Sequence, residues 1–330
     1  MIQSLKEAIL NCQNPIITTH KSPDGDAIGS SVAWYYFLKK IGKNPIVVLP
    51  DAPAEFLLPF LNNVEYFVFE KEMNSVLEFS KNANLLFCLD YNGAGRVGVT
   101  MESYVREFSG HKAMIDHHPN PESFCDFTLS RTEICSTAQL VYQCIEELEM
   151  IDLLDVTIGK GIYLGMMTDT GSFRFPSVDK NTHLILAKLI EIGVKHYEIH
   201  EAIYDVNTID RLQLRGYAIA EKLEIHKDFP LGIISLSKEE QERFHCQKGD
   251  TEGLVNVILS IEGIAVAVFF KEENDGVKLS FRSKGNYYVN EFAAKYFGGG
   301  GHKYAAGGIS SSNLNVTINQ FHSLVEELFQ

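Results

Sequence analysis

A chain of 330 residues is long enough for two ordinary domains, each with its own core. Apolar residues at 45% and charged residues at 22% fit a folded globular protein and exclude a disordered one. The balance of 29 basic and 43 acidic residues, net −14, argues against a broad grip on long nucleic acid; a polyanionic substrate should be short and held locally.

The longest apolar run, near 264–270, is strand-sized, so no membrane span or membrane partner is expected. Lys6 and Glu7 interrupt the place where a signal peptide needs an unbroken apolar segment, and a cytoplasmic location is expected. The six cysteines form no C-x-x-C pair and read as reduced, mostly buried thiols.

In chain order, strands are predicted at 15–19, 45–49, 85–89 and 113–115, with helices over 27–41 and 98–108 between them. This alternation predicts an α/β fold: an N-terminal, mostly parallel sheet flanked by helices. Helices follow at 136–149, with Ser136 or Thr137 as N-cap, at 155–168 and at 181–192. The texture then changes. A charged helix over 209–223 precedes strands at 232–236, 264–271 and 276–282, a helix at 289–296, four glycines, a strand at 305–310 and a closing helix at 316–329. The expected division is 1–205 for a catalytic domain, 206–225 for a helical linker and 226–330 for a smaller α/β substrate-binding domain.

The chemistry concentrates at predicted strand ends. His20-x-x-x-Asp24-x-Asp26 follows the first strand, with Pro23 and Gly25 making a tight turn. Asp90 ends the third, Asp116-His117-His118 ends the fourth, and Asp169 closes a helix. Open α/β sheets place ligands at this carboxyl edge. Singly, these residues read as turn formers, helix caps or solvated side chains; four groups of them at successive element ends are hard to obtain by chance. Carboxylate and imidazole donors without thiolates suit Mn²⁺ or Mg²⁺, with Fe²⁺ or Co²⁺ also compatible. Two such ions can activate water and clamp a phosphoryl group.

These motifs and their order resemble the DHH phosphoesterases, and the resemblance extends to Phe281-Arg282-Ser283 and Gly298-Gly299-Gly300-Gly301-His302 in the C-terminal half. The nearest subgroup it suggests cleaves short RNA (nanoRNA) and 3′-phosphoadenosine 5′-phosphate (pAp). The resemblance implies two divalent ions, Mn²⁺ ahead of Mg²⁺ or Co²⁺. His20, Asp24 and Asp90 would hold one, and Asp26, Asp90, His117 and Asp169 the other. His118 would face the scissile phosphate, and Asp116 would orient an imidazole. Arg282, Ser283, Gly298, Gly299, Gly300, Gly301 and His302 would bind the substrate's other end, the glycines as an anion nest. Short RNA or DNA or pAp is the implied partner, long duplexes are not, and a homodimer is compatible. One departure stands out: Asn92 occupies a position where the family often has a small hydroxyl residue.

Other readings compete. Linear dinucleotides derived from cyclic ones could be the substrate, or the chain could be a catalytically inactive nucleotide sensor. Gly93-Ala94-Gly95-Arg96-Val97-Gly98 has the form of a dinucleotide fingerprint, but three residues separate it from its strand, and it leaves His20, Asp24, Asp26 and His117 unexplained. Asp169-Thr170-Gly171 matches the aspartic-protease tripeptide, yet only one copy is present. Arg96 and Arg174 read equally well as substrate ligands or as solvated loop arginines.

Overall fold

The computed structural model describes residues 2–329, which form two compact units, one up to Val206 and one from Asn207 on. In the first unit the elements run α1 (Ile2–Asn11), β1 (Ile16–Thr18), α2 (Gly25–Lys40), β2 (Ile46–Leu49), β3 (Tyr66–Val68), α3 (Phe69–Ser80), β4 (Leu85–Leu89), α4 (Val99–Glu107), β5 (His111–Asp116) and β6 (Phe127–Ser130). Four helices follow: α5 (Thr137–Glu147), α6 (Val156–Asp169), α7 (Lys180–Glu191) and α8 (His196–Tyr204).

The six strands pair in parallel in the order β3-β2-β1-β4-β5-β6. Their composition follows from burial on both faces, which favours unbroken apolar runs over alternation. Along β4, Leu85, Phe87 and Leu89 pack with α1, α2 and α5–α8, while Leu86 and Cys88 face the core under α3 and α4. The strand order reverses at β1, which has β2 on one side and β4 on the other. Loops leaving β1 and β4 at their carboxyl ends diverge there and open a crevice.

The central strands and helices fall where the sequence places them, within a residue or two of the expected ends. The helix α1, the edge strands β3 and β6, and the helices α3 and α8 were not anticipated. β3 and β6 are short and half-buried, so they carry little periodic signal. The run at 93–98 forms a 3₁₀ turn, Ala94–Val97, and the α-helix α4 starts only after the last glycine, with Gly98 as its N-cap. A dinucleotide-type phosphate loop is therefore not built there.

The second unit comprises α9 (Ile209–Glu221), β7 (Leu223–Ile225), β8 (Leu231–Leu236), α10 (Lys238–Arg243), α11 (Leu254–Leu259), β9 (Val266–Glu273), β10 (Gly276–Ser283), α12 (Val289–Phe297), β11 (Gly300–His302), β12 (Ala305–Ser310) and α13 (Leu314–Leu324). Its sheet, β11-β12-β10-β9-β8-β7, is antiparallel except for the β8–β9 pair. α9 buries Leu214 and Ala218 with Ile234, Leu236 and Leu254 on one face. α12 and α13 cover the other with Phe292, Phe297 and Phe321. The expected closing helix stops at Leu324 and continues as a 3₁₀ turn.

The glycine run differs from an open nest. Gly298 takes the left-handed cap position after α12, Gly299 N–H donates to Ala293 O (3.1 Å), and Gly300–His302 pairs with β12. A side chain at Gly299 would stand 1.8 Å from Gly307 O, so close approach of two backbones is what demands glycine there. Ser283 is likewise engaged, its hydroxyl donating to Tyr287 O (2.6 Å). Arg282 Nη1 donates to Phe281 O (2.9 Å), and His302 is half-buried on β11.

Candidate metal centre

Four chain segments converge at the carboxyl edge of the parallel sheet. The β1–α2 loop carries His20 and Asp24, and Asp26 lies in the first turn of α2. Asp24 is the N-cap of that helix, its Oδ1 accepting from the N–H groups of Asp26 (3.0 Å) and Ala27 (3.1 Å). Asp90 directly follows β4 with φ of +64°, a left-handed conformation that Asp tolerates better than most residues. Such backbone strain is retained where surrounding structure imposes it, often at functional sites. Asp116 ends β5, His117 and His118 follow it, and Asp169 ends α6.

Within the first unit, three overlapping triads result: His20, Asp24 and Asp90; Asp26, Asp90 and His117; Asp90, Asp116 and His118. Within each, one donor atom per residue lies within 4.8 Å of the others, and Asp90 belongs to all three. His117 Nε2 stands 3.9 Å from Asp26, 3.7 Å from Asp90 and 3.5 Å from Asp169, which draws Asp169 into the cluster. His20 Nε2 is 3.5 Å from Asp90 and 3.8 Å from Asp24.

Backbone carbonyls set the imidazole tautomers. His20 Nδ1 lies 2.9 Å from Lys21 O, and His117 Nδ1 lies 3.2 Å from Ile134 O. A carbonyl only accepts, so each Nδ1 carries a hydrogen, and Nε2, the nitrogen directed at the carboxylates, is the one a metal ion would take in place of a proton. His118 differs. Its Nδ1 is bonded to Asp116 Oδ1 (2.8 Å), and its N–H donates to Asp116 Oδ2 (3.1 Å).

Asp26 and Asp90 are nearly inaccessible, and the N-terminus of α5 supports both. Thr137 N–H (2.6 Å) and Ala138 N–H (2.9 Å) donate to Asp26, while Thr137 Oγ1 donates to Asp90 Oδ1 (2.8 Å). Helix N-terminal amides favour a negative charge placed there. The sequence shows Ser136 and Thr137 as capping candidates, and Ser136 does cap α5. That Thr137 also contacts two distant carboxylates carries no local sequence signal.

The packing of α2 against α6 completes the support. Gly25 and Gly29 on one helix and Gly161 and Gly165 on the other repeat at four-residue spacing, which lets the axes approach closely. A Cβ on Gly29 would lie 2.5 Å from Gly161 O, and one on Gly165 would lie 2.4 Å from both Asp26 Oδ1 and Ala138 Cβ.

Electrostatics follow from crowding four carboxylates together, with Asp26 and Asp90 nearly inaccessible and Asp24 still open to solvent. Burial and repulsion from Asp90, Asp169 and Asp24 push Asp26 well above the usual carboxylate range. Burial raises Asp169 to about 6 despite the opposing influence of His117. Burial also disfavours the charge on Asp90 and Asp24, but hydrogen bonding and nearby imidazoles hold both below their usual values. Burial alone would lower His20; its contacts with Asp24 and Asp90 outweigh this and lift it to about 10. His118 is likewise raised against burial, chiefly by Asp116. A divalent cation fits this donor set, because it supplies the positive charge that protons otherwise provide.

This gives a pH signature. In metal-free protein the His20 contribution to stability is fully present below 6.5 and is lost as pH rises toward 10. The raised Asp169 acts in the same sense lower down, its contribution lost as pH rises from 3.8 through 6. The lowered Asp24 and Asp90 act oppositely, losing theirs only on acidification through the carboxylate range. The thermal midpoint of metal-stripped protein should therefore fall between pH 6.5 and 10, and Mn²⁺ should remove most of that slope. A flat or rising midpoint in this window would contradict the charge arrangement.

The model for the N-terminal domain of the DHH family matches residues 14–166, and that for the DHHA1 domain matches residues 233–330. The bifunctional oligoribonuclease and PAP phosphatase NrnA of Thermus thermophilus is 32% identical over 310 residues, spanning 91% of this chain and 86% of that protein. The chain belongs to the DHH family. Another relative of this DHH protein, the enzyme of the same name from Bacillus subtilis, is 28% identical over 88% of each chain. Its fold matches the crystal structure of an exopolyphosphatase-related protein from Bacteroides fragilis, with a TM-score of 0.92, 34% identity and coverage of 99% and 95%. Among the described residues of this DHH protein, no helix is long and apolar enough to cross a membrane.

Proposed function

We propose that the chain is a metal-dependent phosphoesterase that hydrolyses short oligonucleotides to mononucleotides and pAp to AMP. The observation that carries this reading is the sharing of Asp90 by overlapping carboxylate–imidazole triads at the sheet's switch point. The NrnA relatives' names supply the substrate class. His20, Asp24 and Asp90 would hold one divalent ion, and Asp26, Asp90, His117 and Asp169 a second. Oxygen and imidazole donors favour Mn²⁺, with Mg²⁺ or Co²⁺ as substitutes. Two ions so held supply an activated water and neutralise phosphoryl charge.

The remaining work falls to the chain. Asp116 fixes the His118 ring through Nδ1, and the raised proton affinity of His118 keeps a proton at Nε2 for the leaving oxygen. Lys21 O and Ile134 O fix the tautomers of His20 and His117. Thr137 and the α5 amides keep Asp26 and Asp90 in place. In the second unit, Arg282, Ser283, the 298–301 glycines and His302 would engage the far end of the substrate. Such local recognition suits a chain of net charge −14, whose affinity cannot come from a long basic track.

The test is to incubate the protein and Mn²⁺ with pAp and with end-labelled RNAs of two to five nucleotides. AMP release from pAp and stepwise mononucleotide release from the RNAs are expected. No turnover of either would overturn the reading. Arg282→Ala should raise KM for the di- and trinucleotides roughly tenfold, as loss of a charged hydrogen bond would, and affect a minimal chromogenic phosphodiester far less. Equal effects on both would remove the clamp role.

A further inference from the structure

The first unit has four arginines, and three are visibly engaged. Arg106 is bound by Glu102 and Glu122, Arg131 by Gln143 and Glu147, and Arg174 Nε donates to Gly171 O (2.7 Å). The fourth, Arg96, is exposed, and among the described residues its guanidinium has no hydrogen-bond or ion-pair acceptor. Its backbone, by contrast, is tightly held. Arg96 N–H donates to Gly93 O (3.0 Å), and Arg96 O accepts from Lys21 N–H (2.8 Å).

This ties the 3₁₀ turn that follows Asp90 to the residue that follows His20. The turn is braced at its start as well, where Ala94 N–H donates to Glu122 Oε2 (3.0 Å) and Arg106 holds Glu122. Two of the loops that supply the metal centre are thus stitched together at Arg96. On the same rim Lys21 is occupied, its Nζ 3.5 Å from Glu70. A guanidinium without an acceptor, on a rigid turn beside a carboxylate-rich centre, gains little from the protein and much from an arriving phosphoryl group. A surface arginine kept only for solubility needs no such bracing.

We propose that Arg96 is a substrate ligand of the metal centre, donating to non-bridging oxygens of the phosphoryl group under attack. The proposal rests on the phosphoesterase reading. It assigns recognition of the reacting phosphate to the first unit, independent of the far-end clamp in the second.

The test uses full-length, Mn²⁺-loaded protein and inorganic phosphate as the probe. Calorimetric phosphate affinity is read for wild type, Arg96→Ala and Arg96→Lys, alongside Mn²⁺ affinity and kcat/KM on a chromogenic phosphodiester. Arg96→Ala should weaken phosphate binding about tenfold or more, the range for a hydrogen bond to a charged group, with Mn²⁺ affinity unchanged. Arg96→Lys should fall between, and millimolar guanidinium should restore part of the lost turnover in Arg96→Ala. Phosphate affinity and kcat/KM within twofold of wild type would overturn the proposal. So would parallel loss of Mn²⁺ binding without guanidinium rescue, since that marks a purely structural turn. Because phosphate binding is read without turnover, a wild-type protein that bound phosphate but cleaved nothing would sink the activity reading and leave the Arg96 result standing.

Discussion

Replacing Asp90 with Asn should lower kcat/KM at least ~10³-fold, because charge stabilisation by metal ions amounts to several kcal/mol and each 1.36 kcal/mol is tenfold in rate. Asn is the informative substitution. It keeps the shape of the side chain and tolerates the left-handed backbone that Asp90 adopts, so the fold should survive. What it removes is the shared negative charge, together with one oxygen that faces His20 (3.5 Å) or His117 (3.7 Å). The Thr137 hydroxyl, which donates to Asp90 Oδ1, can still donate to the Asn carbonyl. Since Asp90 belongs to all three triads, Mn²⁺ uptake should fall at both ions rather than at one. Mn²⁺ titration of the variant checks this, and loss of a single ion with residual turnover near wild type would refute the bridging role.

Gly165→Ala should destabilise the protein by ~1–3 kcal/mol, the usual cost of forcing an extra methyl into a close-packed interior, and should weaken Mn²⁺ binding as well. The added Cβ would meet Asp26 Oδ1 and Ala138 Cβ, each at 2.4 Å, so relief requires moving the carboxylate off the α5 amides or moving the helix end. An alanine at Gly216 in α9, where nothing lies within 4 Å, is the control: it should leave Mn²⁺ affinity unchanged and, if anything, stabilise the helix by ~0.5–1 kcal/mol. Chemical denaturation with and without Mn²⁺ separates the two effects. A Gly165→Ala protein with wild-type stability and wild-type Mn²⁺ affinity would show that the helix contact does not govern Asp26.

Much of the architecture is legible in the sequence because the central strands are buried on both faces. Ile46–Leu49 and Leu85–Leu89 are unbroken apolar runs bounded by turn residues. The strand-end positions of His20, Asp90 and Asp116 are readable for the same reason, since a strand identified by its core residues fixes where its end must lie. The pairing of Asp169 with His117 is not readable, because it depends on where a helix C-terminus arrives after tertiary packing. The same holds for Thr137, whose contacts with Asp26 and Asp90 join residues 111 and 47 positions apart. The backbone path of the four-glycine run is not readable on local grounds. Glycine permits an anion nest, but it equally permits a left-handed cap followed by a strand lying hard against β12, and the latter is what this sheet requires.

The most direct measurement of the central claim is electron paramagnetic resonance of the protein titrated with Mn²⁺. Two ions that share the Asp90 carboxylate should bind per chain and show an exchange-coupled spectrum at saturation, which Asp90→Asn should abolish. A single ion per chain, or two ions with the spectrum of isolated Mn²⁺, would contradict a shared two-ion centre.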